Sequence, residues 1–169
     1  MTTSFSYEHT FRADSVEALL RAFTDPSHVE AQDARGDVAR RTVIERIDTD
    51  AEFRCDARVE TRRELPAFVQ KLVGGGLSYT ERLRWNKRTP TLEIDIQPDV
   101  MNGRSRIQVA CKIEPAGPGQ VRRIYTGTAR ADVALIGGRI ERSIVTEIGK
   151  SLDAAAAVTQ AWLDARRAP

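Results

Sequence analysis

The chain has 169 residues, 41% of them apolar and 30% charged, with 26 basic residues against 24 acidic ones. That near balance excludes a nucleic-acid surface resting on net charge and fits a single soluble domain, 1–169, with room for a proper core. Apolar runs are too short to span a bilayer and the start lacks the basic and apolar regions of a signal peptide, so we expect a cytoplasmic protein without stable membrane insertion.

Ser4 to Arg12 alternates, with Phe5, Tyr7, His9 and Phe11 on one side and Ser6, Glu8, Thr10 and Arg12 on the other, and predicts a half-buried first strand. Asp14 stands three residues before Glu17, the spacing of a capping box. A short helix is therefore expected through Phe23, burying Val16, Leu19, Leu20 and Phe23. Asp25-Pro26 repeats the start signal, with Asp as cap and Pro in the first turn, and a second short helix should run to Ala34 and stop at Gly36. A plain meander would use a tight hairpin here, so two helices between strands mark the topology.

From Asp37 the strand pattern returns and persists for about a hundred residues. Val38 to Ile47 forms the second strand, with Val43 and Ile47 among its apolar positions. Glu52 to Glu64 is the third, with Phe53, Cys55, Ala57 and Val59 opposite Arg54, Asp56, Arg58 and Glu60. Leu65-Pro66 breaks it, and Ala67 to Val73 is expected as a helical turn over the sheet edge or cavity mouth. Gly74-Gly75-Gly76 lacks the Gly-Lys-Ser/Thr ending of a phosphate-binding loop and reads as a plain loop.

Leu77 to Asn86 is the fourth strand, placing Leu77, Tyr79, Glu81, Leu83 and Trp85 together. Thr91 to Gln97 (Leu92, Ile94, Ile96), Arg106 to Glu114 (Ile107, Val109, Cys111, Ile113) and Gln120 to Val133 are strands five to seven. In the seventh we place Tyr125, Gly127, Ala129 and Ala131 inward, because small side chains let a helix approach a sheet closely. The basic pairs Arg40-Arg41, Arg62-Arg63 and Arg122-Arg123 are interleaved with carboxylates and read as solvated outer sheet faces.

Gly137 to Arg166 carries the main helix, about 45 Å long. Ile140, Ile144, Ile148, Ser151, Ala155, Val158 and Trp162 share one face, opposite Arg139, Arg142, Lys150, Asp153, Gln160 and Asp164. Such a stripe needs a long apolar surface to cover it, and the strands supply one. The expected architecture is α+β: a curved antiparallel sheet of seven strands gripping a long C-terminal helix, with a cavity between them.

The order of strand, two short helices, six further strands and long C-terminal helix resembles the helix-grip fold of the START and Bet v 1 related (SRPBCC) domains. Within that group the sequence resembles the bacterial DUF2505 family. The residues that carry the likeness are Tyr79-Thr80-Glu81-Arg82-Leu83-Arg84-Trp85 and Leu135-Ile136-Gly137-Gly138-Arg139-Ile140-Glu141. The resemblance implies a lidded hydrophobic cavity for lipids, sterols, polyketides or other apolar molecules, with only some branches catalytic.

The leading expectation is binding or transport of a hydrophobic small molecule, without catalysis, in a cavity lined by Phe53, Cys55, Val59, Tyr79, Glu81, Leu83, Ile94, Val109, Tyr125, Ile144 and Ile148. Glu81, held among apolar side chains, could serve as acid, base or polar anchor, or pair with an arginine at the cavity rim. An alternative is an enzyme resembling polyketide cyclases and aromatases, using Glu81 with Tyr79 or Tyr125 for proton transfer. A third is a protein-interaction module without a ligand. No cofactor is expected. Cys55, Cys111, His9 and His28 lack the spacing of a zinc framework, so no metal is expected either, and the thiols read as reduced core residues.

Overall fold

The computed structural model describes residues 2–62, 67, 70, 76–99 and 103–167. Most of the turn expected at 67–73 and most of the Gly74-Gly75-Gly76 loop lie outside them. The chain runs β1 (Thr3–Arg12), α1 (Val16–Thr24), α2 (Pro26–Arg35), β2 (Val38–Asp48), β3 (Glu52–Thr61), β4 (Ser78–Asn86), β5 (Thr91–Pro98), β6 (Ser105–Pro115), β7 (Gln120–Ala131) and α3 (Gly137–Asp164). The strands form one antiparallel sheet in the order β1-β7-β6-β5-β4-β3-β2. It curves around α3, whose main contacts are with β1, β7 and α2. This is the helix-grip architecture.

Local chemistry explains the boundaries and corrects one. The side chain capping α1 is Ser15, whose Oγ accepts from the Ala18 amide at 3.2 Å, while Asp14 instead accepts from Arg167 at 2.9 Å. Ser15 directly precedes the first helical residue, where a short hydroxyl reaches the third amide; Asp14 stands one residue too early. Asp25 caps α2 as expected, accepting from the Ser27 amide at 2.8 Å, with Pro26 in the first turn and Gly36 after the last.

The buried line of α3 also differs from the apolar stripe. Ile140, Glu141, Gly149, Thr159 and Leu163 are buried, whereas Ser151 is exposed. Beside two apolar residues, the buried positions are glycines and polar residues with partners, which hydropathy does not mark. At its start α3 has no side-chain cap, and a Cβ on Gly137 would sit 2.4 Å from the Ala131 carbonyl oxygen. Only glycine lets the helix begin so close to the end of β7. Glu141, wholly buried, fastens this junction by accepting from the Ala131 amide at 3.0 Å and from Thr3 Oγ1 at 2.9 Å.

Candidate functional site

Antiparallel register sets the inward side chains in rows across the sheet. Phe53, Trp85, Leu92, Cys111, Tyr125 and Tyr7 make one row; Cys55, Leu83, Ile94, Val109, Gly127 and Phe5 make the next. Ala57, Glu81, Ile96, Ile107, Ala129 and Thr3 form a third, and Val59, Tyr79 and Pro98 a fourth. Every strand residue expected to line a cavity falls on this concave face. Ile144 and Ile148 of α3 pack with Phe5, Ile107 and Ala129 from the other side.

Burial is uneven along that face. One buried cluster gathers Phe11, Leu19, Leu20, Leu92, Ile113, Val121, Tyr125 and Leu163 where α1 and the end of α3 meet the sheet. A second holds Phe5, Ile107 and Ala129, and a third Ala131 and Ile140. Between them Tyr7, Leu83, Ile94, Ile96, Val109, Ile144 and Ile148 are only half-buried. These half-buried side chains bridge the clusters: Tyr7 and Val109 pack against the first two, and Ile144 against the second and third. Phe53, Val59 and Tyr125, also expected as lining, are instead buried to 2%, 0% and 6% exposure.

Glu81 is not a lone carboxylate. Its Oε1 accepts from Arg41 Nη1 at 2.7 Å, and the same guanidinium donates from Nε and Nη2 to Asp33 of α2 at 2.7 and 3.1 Å. Glu81 and Asp33 raise the pKa of Arg41 against the opposing effect of its burial. Nearby, burial and the negative charge of Glu81 raise that of the Cys55 thiol. Arg46 tethers the same strand to α1, donating to the Thr24 carbonyl at 2.8 Å while its guanidinium lies 5.3 Å from the Phe53 ring centre.

Arg41 and Arg123 thus correct the reading of the basic pairs as solvated. Consecutive residues of a strand point to opposite faces, so in β2 and in β7 one arginine of the adjacent pair turns inward; Arg63 lies outside the described residues. Arg40 is exposed and Arg41 half-buried; Arg123 is 1% exposed. The guanidinium of Arg123 lies 4.8 Å from the Phe11 ring centre and 5.0 Å from that of Tyr125, and Nη1 is 3.5 Å from Thr159 Oγ1. His28 of α2, 2% exposed, brings Nε2 to 3.0 Å from the same hydroxyl. Burial, helped by the charge of Arg123, lowers the pKa of His28 to about 4. Burial pushes the Cys111 thiol up to about 12 and raises the Tyr125 phenol as well. The alternation that put Tyr125 inward puts Arg123 there too, a signal that extends to the start of β7.

A separate open depression of about 300 Å³, with Ala13, Ser15, Val16, Pro115 and Val121 in its wall, lies at the start of α1, away from the rows. Among the described residues no group of His, Cys, Asp and Glu could hold a metal ion, both thiols are free, and no helix is long and apolar enough to cross a membrane.

Residues 6–163 match the sequence profile of a family described as "Protein of unknown function (DUF2505)". No curated protein sequence matches the chain. Solved structures do. The Zhui aromatase/cyclase from Streptomyces sp. R1128 superposes with a TM-score of 0.69 at 9% identity, over 99% of this chain and 98% of that one. A START superfamily protein from Mycobacterium smegmatis follows at 0.62 and 12%, over 97% and 99%. Norcoclaurine synthase from Thalictrum flavum, in complex with dopamine and hydroxybenzaldehyde, matches at 0.68 and 11%, over 100% and 90%.

Proposed function

Because this chain belongs to the DUF2505 family and carries the helix-grip fold, we propose that it encloses a hydrophobic small molecule between α3 and the concave face of the sheet. The observation that carries this reading is the band of half-buried apolar side chains, Leu83, Ile94, Val109, Ile144 and Ile148, lying between separate buried clusters. Apolar surface left partly uncovered inside a fold is stabilised by an apolar guest. Covering about 200 Å² of ligand surface contributes about 5 kcal/mol before ordering costs. The structural neighbours support the reading by analogy, since one was crystallised with two small aromatic molecules in complex. Free Cys55 and Cys111 suit a reducing cytoplasm.

Binding without turnover is the reading that the polar groups favour. Glu81 is engaged by Arg41, and burial raises the pKa of Tyr125 far from that of a neutral-pH base, which weighs against the cyclase-like alternative. The test is native mass spectrometry of protein taken directly from cells, with titration by an apolar fluorescent probe. Co-purified apolar ligand, and probe binding weakened at least tenfold by Val109→Phe or Ile94→Phe in a folded protein, are expected. A mass equal to the bare chain together with no probe binding would refute the proposal.

A further inference from the structure

Among the described residues, the interior cation Arg123 has no counter-ion. Arg123 is 1% exposed and, among the described residues, forms no ion pair; its Nε and Nη2 have no hydrogen-bond partner. Nη1 alone has a polar neighbour, the Thr159 hydroxyl at 3.5 Å, and that hydroxyl already donates to the Ala155 carbonyl at 2.8 Å. The rings of Phe11 and Tyr125 offer their faces to the guanidinium but fill no N–H. Carboxylates on neighbouring elements are committed elsewhere: Glu81 to Arg41, Asp153 to His9 at 2.8 Å, and Asp25 to the Ser27 amide and hydroxyl at 2.8 and 2.6 Å. A buried charge without a partner is costly, and stable folds normally match it.

The unsatisfied edge has a shape. Nε and Nη2 form the side of the guanidinium that donates two parallel hydrogen bonds to the two oxygens of a carboxylate. Along β7 the next inward residues are Tyr125 and Gly127, whose rows continue through Trp85 and through Val109, Ile94 and Leu83. Four residue rises along the strand separate Arg123 from Gly127, about 13 Å. A molecule with an acid at one end and an apolar body of that length would satisfy both the cation and the half-buried band.

We propose that Arg123 is the anchor for the carboxylate of an apolar acid, with the acid's hydrocarbon body lying over Tyr125 toward Val109 and Ile94. This rests on the cavity reading above and names the chemical class of its ligand. His28 and Thr159, on α2 and α3, close the anchor from the helical side with neutral groups and supply no competing carboxylate.

The experiment compares dodecanoate with its methyl ester, which share a tail and differ in charge, by calorimetry and thermal shift on the full chain. Dodecanoate is expected to bind the unchanged protein at least tenfold tighter than the ester, because only the acid can take the charge-assisted bidentate pair. Arg123→Met should bind both alike. Acid and ester binding equally to the unchanged protein, or neither binding while the apolar probe still does, would overturn the anchor and leave the cavity standing, whereas binding of neither together with no probe binding would overturn both. Chloride or phosphate raising the melting temperature of the unchanged protein as much as dodecanoate, and not that of Arg123→Met, would also overturn it, by making the site one for a small inorganic anion. The comparison in the unchanged protein decides the matter even if the variant does not fold.

Discussion

Arg41 of β2 and Glu81 of β4 meet across the whole width of β3, nitrogen to oxygen 2.7 Å, with Arg41 paired opposite Val59 and Glu81 opposite Ala57. With Asp33 on the other side of the guanidinium, the contact ties α2, the edge strand and the sheet interior together. Breaking it should loosen the edge. We expect Glu81→Gln to cost about 1–2 kcal/mol, the range for a partly buried charge-assisted bond, while Asp33 still holds Arg41. Urea unfolding measures it. Apolar-probe binding should survive, and loss of all binding with unchanged stability would instead make Glu81 a ligand contact.

His28 sets an acid limit on stability. Its pKa is lowered to about 4 in the folded protein, chiefly by burial and then by Arg123, with Asp25 opposing and Arg166 reinforcing. The unfolded histidine titrates near 6.5, so between these values the unfolded chain binds more protons, and stability falls as pH falls. The loss should be on the order of 3 kcal/mol from above pH 6.5 to below about 4. In His28→Gln this part of the acid limb should flatten. Identical losses in both proteins between pH 7 and pH 4.5 would remove His28 as the cause.

Gly149 and Tyr7 are fitted to each other. Tyr7 donates its hydroxyl to the Val145 carbonyl at 2.8 Å, and a Cβ on Gly149 would stand 2.8 Å from that hydroxyl. Alanine improves helix propensity by about 1 kcal/mol, but forcing the ring aside costs about 1–3 and loses the hydrogen bond. Gly149→Ala should therefore destabilise by about 1–3 kcal/mol. In a Tyr7→Leu background the same substitution should become neutral or stabilising. A double-mutant cycle that shows no coupling would contradict this account.

Glu141 holds the start of α3 to the end of β7. Glu141→Leu strands the Ala131 amide in the interior, at about 2–3 kcal/mol, whereas Thr3→Val removes one bond at about 1 kcal/mol. Hydrogen exchange supplies the local readout: the Ala131 amide should lose protection in the first variant and keep most of it in the second.

The sequence reading succeeded where side-chain period and backbone geometry coincide. In β1 the alternation from Phe5 to Phe11 matches burial residue by residue, and the small inward residues of β7, Ala129 and Ala131, lie against the helix as expected. It failed where geometry broke the period. In β2, Val43 pairs with Ala57 and Glu45 with Asp56, so Ile44 is an extra residue. Arg41 and Arg46, five positions apart, consequently both face Val59 and Cys55 on the concave side. No alternation count finds that pair. Arg123 was hidden differently, since its charge argued for water more strongly than its place in the alternation argued for the interior.

The irregularities of β2 bear on how the molecule keeps to itself. β2 ends the sheet, and the unpaired Ala39 and Ile44 interrupt its backbone ladder at two points. An incoming strand from another copy needs an even run of donors and acceptors, and these kinks deny it one although Val43 and Ile44 are 52% and 63% exposed. Deleting Ile44 would straighten the rim and invite fibrous self-association.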